Sequence, residues 1–133
     1  MVLSASDLTA ATACEWAVLR RLDAKLGRVE AVPEPVDALN RRAARLGDAH
    51  EERQLEAYRR QYGAGVIEID RPDDSRDLDA LVAAQDRTVT AMRSGADVVF
   101  QATLFDGRFL GFADFLVRTG DVWEVYDLSL IHI

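Results

Sequence analysis

Asp114 stands inside the run RFLGFADFLVR, where period-2 alternation gives it a strand face shared with Leu110, Phe112 and Leu116. A carboxylate on an apolar face needs a partner, a metal ion or a displaced pKa. The plainer alternative is a half-exposed face at a sheet edge. Asp127 follows on the next strand-like run, VWEVYD, with Trp123 and Val125 on its face. If the two runs pair as a hairpin, the carboxylates can converge. Two hard oxygen donors suit Mg²⁺ or Mn²⁺, and such an ion polarises a phosphate and acidifies water. Acidic strand ends are also common with no ligand at all. His50 is the third candidate. It continues Leu39, Ala43 and Leu46 at helical spacing, so it should face inward, as a metal ligand or as a hydrogen-bonded core histidine. Gly47, three residues before it, costs about 1 kcal/mol relative to alanine in a helix. That suggests a close approach to the helix there.

The elements that would position these residues are legible from periodicity. Ser6 is placed to cap a helix over 7–26, with Leu8, Ala11, Leu19, Leu22 and Leu26 as its buried stripe and Gly27 as its stop. A second helix is expected over 36–62, ended by Gly63 and Gly65. VIEID (66–70) reads as a short strand closed by Pro72. A third helix is expected over 77–93, with Leu78, Leu81, Val82, Val89 and Met92 facing in. The period then switches to two. VVFQATLF (98–105), Asp106-Gly107 and RFLGFADFLVR (108–118) predict a hairpin with a type I′ turn. A second turn at 119–121 leads into VWEVYDL. The expected class is therefore α/β (α+β), with N-terminal helices packed on an antiparallel three-stranded meander.

At 133 residues the chain has room for one domain with a core. Its apolar content of 49% and charged content of 29% suit a soluble globular protein. No membrane span or signal peptide is visible. The one cysteine, Cys14, fits a reducing cytoplasm. A net charge of −7 argues against electrostatic coating of nucleic acid. Fifteen of the sixteen cations are arginine, so a mechanism that needs lysine has Lys25 alone.

SASDL, GDAHEE, GFADF and VYD, in that order, resemble the RecB-like nucleases of the PD-(D/E)xK superfamily, in the branch similar to the CRISPR-associated exonucleases. The likeness covers the chain to Asp127. It implies a partial restriction-endonuclease-like fold, a metal-dependent DNA nuclease, and DNA as partner. It also implies that His50, Asp114 and Asp127 are the ligands of Mg²⁺ or Mn²⁺, with Asp114 and Asp127 catalytic. The family continues D-x-K, and here Ser129 stands in the lysine's place. The expectation is thus residues 1–127 as a truncated nuclease domain and 128–133 as a tail not native to it. The chain itself would be inactive, with an open sheet edge and apolar surface around Phe112, Phe115 and Trp123. The alternative is a nuclease-like module that binds nucleic acid or a protein without cleaving.

Some relatives carry a 4Fe–4S cluster, and by resemblance Cys14 stands at its first ligand. A cluster takes about four thiolates, so only a longer parent could hold one. The competing reading is a small buried residue under Trp16 and Val18. Arg41, Arg42 and Arg45 could contact phosphates, or could be an ordinary solvated helix face.

Overall fold

The computed structural model describes residues 2–33 and 38–128, and for positions 38–41 and 43 the backbone only. Val36, the Arg41 side chain and Ser129 with the rest of the tail therefore lie outside the described residues. The fold is mixed α and β. In chain order it comprises β1 (Leu3–Ser4), α1 (Ala5–Ala13), α2 (Glu15–Lys25), α3 (Ala38–Tyr62), a 3₁₀ turn (Gly63–Gly65), β2 (Val66–Glu68), α4 (Leu78–Arg93), β3 (Val98–Phe105), β4 (Phe109–Thr119) and β5 (Val122–Tyr126).

The predicted meander forms: β3 pairs antiparallel with β4, and β4 with β5. The sheet is wider than that, and mixed. β2 runs parallel to β3, and β1 runs parallel to the start of β4. Along one edge of β4, β1 covers Phe109 and Leu110, while β5 covers Phe115 to Thr119. Residues 111–114 lie in the gap between them. The strand β1 is two residues long, too short to show any alternation in sequence.

The first helix is not one helix over 7–26. Its cap is Ser4, not Ser6. The Ser4 hydroxyl accepts from the Asp7 N–H at 3.3 Å, and the Asp7 carboxylate accepts from the Ser4 N–H at 2.9 Å, a reciprocal capping box. Burial opposes ionisation of Asp7, but its bonds to Ser4 and the nearby Lys25 ammonium outweigh this and hold its pKa below the usual value. Ser4→Ala should cost about 1 kcal/mol of local stability. Faster deuterium exchange at the amides of the α1 first turn would register it, with unchanged exchange ruling the cap unimportant.

At Cys14 the backbone turns extended (φ −160°, ψ 101°) and α2 starts afresh. The Thr9 and Thr12 hydroxyls donate back to the carbonyls of Ala5 and Thr9, a pattern that competes with helix continuation. The break dismantles the predicted stripe: neither α1 nor α2 buries a residue, and Leu8, Leu19 and Leu26 are exposed. Cys14 is exposed as well, and Trp16 is 70% exposed, so the reading of a buried cysteine under Trp16 is wrong.

The sheet packs instead on α3 and α4. Asp77 caps α4 by accepting from the Ala80 N–H at 3.0 Å. The helix buries Leu81, Ala84, Thr88 and Ala91, leaving Leu78 and Val82 exposed against expectation. Small side chains at 84 and 91 let the helix sit close on Val99 and Ala102. Where β2 has ended, α4 side chains meet the outer margin of β3. The Thr88 hydroxyl accepts from the Thr103 N–H at 3.1 Å, and the Gln85 carbonyl accepts from the Phe105 N–H at 2.9 Å.

On the other side, α3 supplies Leu55, Tyr58 and Tyr62 to a cluster with Val98, Phe100, Phe115 and Val117. Phe115 is fully buried and Trp123 half-buried against the α4 cluster, but Phe112 and, on β5, Val122 and Val125 are exposed, so the expected apolar surface is covered only at Phe115 and Trp123. The predicted type I′ turn is also absent. Gly107 has φ 95° but Asp106 does not enter the left-handed region. The Asp106 carboxylate instead accepts from the N–H groups of Arg108 and Phe109, at 2.9 and 2.7 Å, and closes a longer loop.

Candidate functional site

The β3–β4 register opposes Gln101 to Asp114, and the β4–β5 register, continued one step past Phe115 and Tyr126, opposes Asp114 to Asp127. The three residues form a row across the sheet. Gln101 is the one described non-glycine residue with positive φ, at 55°. A left-handed residue in mid-strand is strained, and such strain collects at functional sites. The core records its effect. Val98, Phe100, Phe115 and Val117 join the α3 cluster, while Val99 and Leu116 join the α4 cluster. Beyond Gln101 the alternation changes phase: Ala102 and Ala113 belong to the α4 cluster. Asp114 therefore does not share the face of Leu116, as simple alternation implied.

Asp114 is 8% exposed and held from two directions. The Leu128 N–H donates to Oδ2 at 2.8 Å, and Arg71 Nη2 lies 3.2 Å from Oδ1. The Arg71 guanidinium also sits 4.8 Å over the Phe112 ring. Burial raises the Asp114 pKa, and the Asp127 carboxyl raises it further; the Leu128 N–H and Arg71 only partly offset them.

Glu51 joins from α3. Burial raises its pKa, the Asp114 charge adds to the rise, and Arg71 and a hydrogen bond with the Gln101 side chain oppose it. The site is thus a group of carboxylates in mutual repulsion around one guanidinium. It holds protons more readily than free carboxylates do, and its excess of negative charge favours a cation.

The sign of the pH effect follows. A carboxyl whose folded pKa exceeds its unfolded value binds more protons when folded, so stability falls as pH rises between the two values. That window opens at about 4. Asp114→Asn should lessen this fall, leaving the share that burial of Glu51 contributes, and so make a plot of urea midpoint against pH shallower from about 4 upward. A wild-type slope retained in the variant would assign the titration elsewhere.

Of the predicted site residues, the structure brings together Asp114 and Asp127. His50 is half-buried on α3, and the helix residue coupled to Asp114 is its neighbour Glu51. Among the described residues no group of three His, Cys, Asp or Glu side chains is placed to hold an ion. Leu46, part of the stripe that pointed His50 inward, is 54% exposed. The stripe that reaches the core is Glu51, Leu55, Tyr58 and Tyr62, at i, i+4, i+7 and i+11. Read from its C-terminal half, the helix would have yielded Glu51. Among the described residues, no atom from beyond the neighbouring helix backbone lies within 4 Å of a side chain built at Gly47, so none of them makes the expected close approach there.

The chain matches no protein-family model, no curated protein and no solved structure. The chemistry of the site rests on its own residues.

Arg42 and Arg45 are exposed on α3. The neighbouring Arg59 is engaged by Glu56 at 2.5 Å, by Glu52 at 3.7 Å and by Glu68. Lys25 is 3.3 Å from Asp7, and both line a cleft of about 620 Å³ with Ser75, Arg76 and Leu110. Among the described residues, no helix is long and apolar enough to cross a membrane.

Proposed function

We propose that this chain carries the acidic half of a metal-dependent phosphodiesterase site acting on DNA, in a partial PD-(D/E)xK-type domain. The observation that supports it best is the interaction of the Asp127 carboxyl, just past the end of β5, with the buried Asp114 on β4, whose pKa is driven upward by burial and by Asp127. The donor set suits a hard divalent ion. Mg²⁺ commonly takes only one or two protein carboxylates, with water and substrate phosphate completing its shell. Asp114 and Asp127 would hold the ion, with Glu51 and His50 on the flanking helix. When bound, Mg²⁺ or Mn²⁺ supplies Lewis acidity toward a phosphodiester. The protein's part would be to bring the Asp127 carboxyl, one residue past the end of β5, beside Asp114 on β4. A 4Fe–4S cluster would belong only to a longer parent, with the exposed Cys14 as one ligand.

The test is release of labelled nucleotides from single- and double-stranded DNA, with Mn²⁺, Mg²⁺ or EDTA. With Ser129 in the lysine's place this chain should be inert, whereas a chain with the D-x-K lysine and the helix after it restored should give EDTA-sensitive release that depends on Asp114 and Asp127; inertness of that restored chain with every ion sinks the reading. A second reading, a non-catalytic module binding nucleic acid or a protein partner, draws on the Arg71–Asp114 contact, which already gives the carboxylate a cationic partner. It predicts DNA binding that EDTA does not alter.

A further inference from the structure

The site needs a positive group beside the reacting phosphate as well as acids, and the sole lysine is engaged with Asp7 on α1. Arg71 is the cation that the fold brings to Asp114. It leaves the sheet just after β2, next to Pro72, and reaches Asp114 Oδ1 from there. The guanidinium carbon lies 4.8 Å over the Phe112 ring. One nitrogen, Nη2, is used on Asp114, while Nε is enclosed with no acceptor among the described residues. A guanidinium has five N–H donors in a rigid fork that matches carboxylate and phosphate oxygens alike. An arginine placed for a carboxylate alone would usually spend two donors on it.

We propose that Arg71 is the phosphate-positioning cation of this site. It pairs with Asp114 while no divalent ion is present, and turns its donors to a phosphate oxygen once an ion takes the carboxylate. This rests on the reading of the acidic pair as a metal site. It makes a prediction of unusual sign. Because Arg71 and the ion compete for Asp114, removing the guanidinium should tighten binding of the ion while weakening binding of phosphate.

The experiment uses the full chain, with Mn²⁺ alone and then inorganic phosphate in the presence of Mn²⁺, followed by calorimetry or by the Mn²⁺ paramagnetic signal. Arg71→Gln should bind Mn²⁺ about tenfold more tightly than wild type and phosphate about tenfold more weakly, the scale of one partly exposed charge contact. Arg71→Lys keeps the charge, so it should bind Mn²⁺ as wild type does while losing part of the phosphate affinity, because the planar fork is gone. It also guards against a glutamine variant that fails to fold. Mn²⁺ affinity that stays level or falls in Arg71→Gln, while Asp114→Asn abolishes binding, overturns the inference and leaves the metal site standing. Wild type that binds no Mn²⁺ overturns both.

Discussion

In a chain with the D-x-K lysine and the helix after it restored, Asp114→Ala is expected to lower divalent-dependent DNA cleavage by more than about 10³-fold, beyond the 10²–10³ typical of losing a single electrostatic donor. The reason is its place in the row. Asp114 is the middle residue, opposite both Gln101 and Asp127, and it accepts from Arg71 and from the Leu128 N–H. Its removal would take away a carboxylate of the proposed metal site and free the guanidinium that it holds. It also leaves two donors unmatched, at about 1–3 kcal/mol of stability, discounted because Arg71 is partly exposed. Two measurements keep the effects apart. Asp114→Asn preserves the shape and most of the hydrogen bonding, so it should melt near wild type while still failing to cleave. Cleavage that survives in Asp114→Asn would remove the carboxylate from the mechanism.

Phe115→Ala should cost about 3–5 kcal/mol, the largest stability loss of any single change considered. Phe115 has 0% exposure. Its ring meets Tyr58 edge-on with centroids 5.2 Å apart and lies 4.9 Å from Phe100, so it joins α3 to the sheet. A domain of this size has about 5–15 kcal/mol in total, so the variant should melt some 10–20 °C lower. Phe112→Ala, three residues earlier on the same strand at 39% exposure, is the control and should cost no more than about 1 kcal/mol. Equal midpoints for the two variants in urea would contradict the assignment of the core. The loss should reach function too, because Phe115 lies next to Asp114 and ties its strand to the helix that carries Glu51.

The periodic parts of this fold were legible in sequence, and the aperiodic parts were not. The helices α3 and α4 and the hairpins β3–β4 and β4–β5 declare themselves through runs long enough to average over exceptions. The break at Cys14 does not, because local threonine hydroxyls decide it. The strand β1 does not, because two residues carry no period. Asp114 and Asp127 were readable as charged residues in apolar strands. Gln101 offered the same signal, a polar residue interrupting VVFQATLF, but its left-handed backbone shifts the alternation that any strand reading assumes. Arg71 was illegible. It belongs to a connector whose path depends on where Pro72 sends the chain, and only the folded sheet brings it 43 positions along the sequence to Asp114.

The side chains of Gln85 and Thr88 on β3 have a consequence for how this protein meets other chains. Short of its partner β2, the outer margin of β3 would offer bare amides to any extended segment that passed, its own kind included. Unpaired margins are where sheets grow by recruitment, into swapped dimers or fibrils. Here the amides of Thr103 and Phe105 are already taken by a helix that cannot leave without exposing Leu81 and Ala84. An incoming strand would have to displace side chains anchored in the core before it gained its first hydrogen bond. Past the end of β2, the margin of β3 is closed to addition by two residues, a threonine and a glutamine.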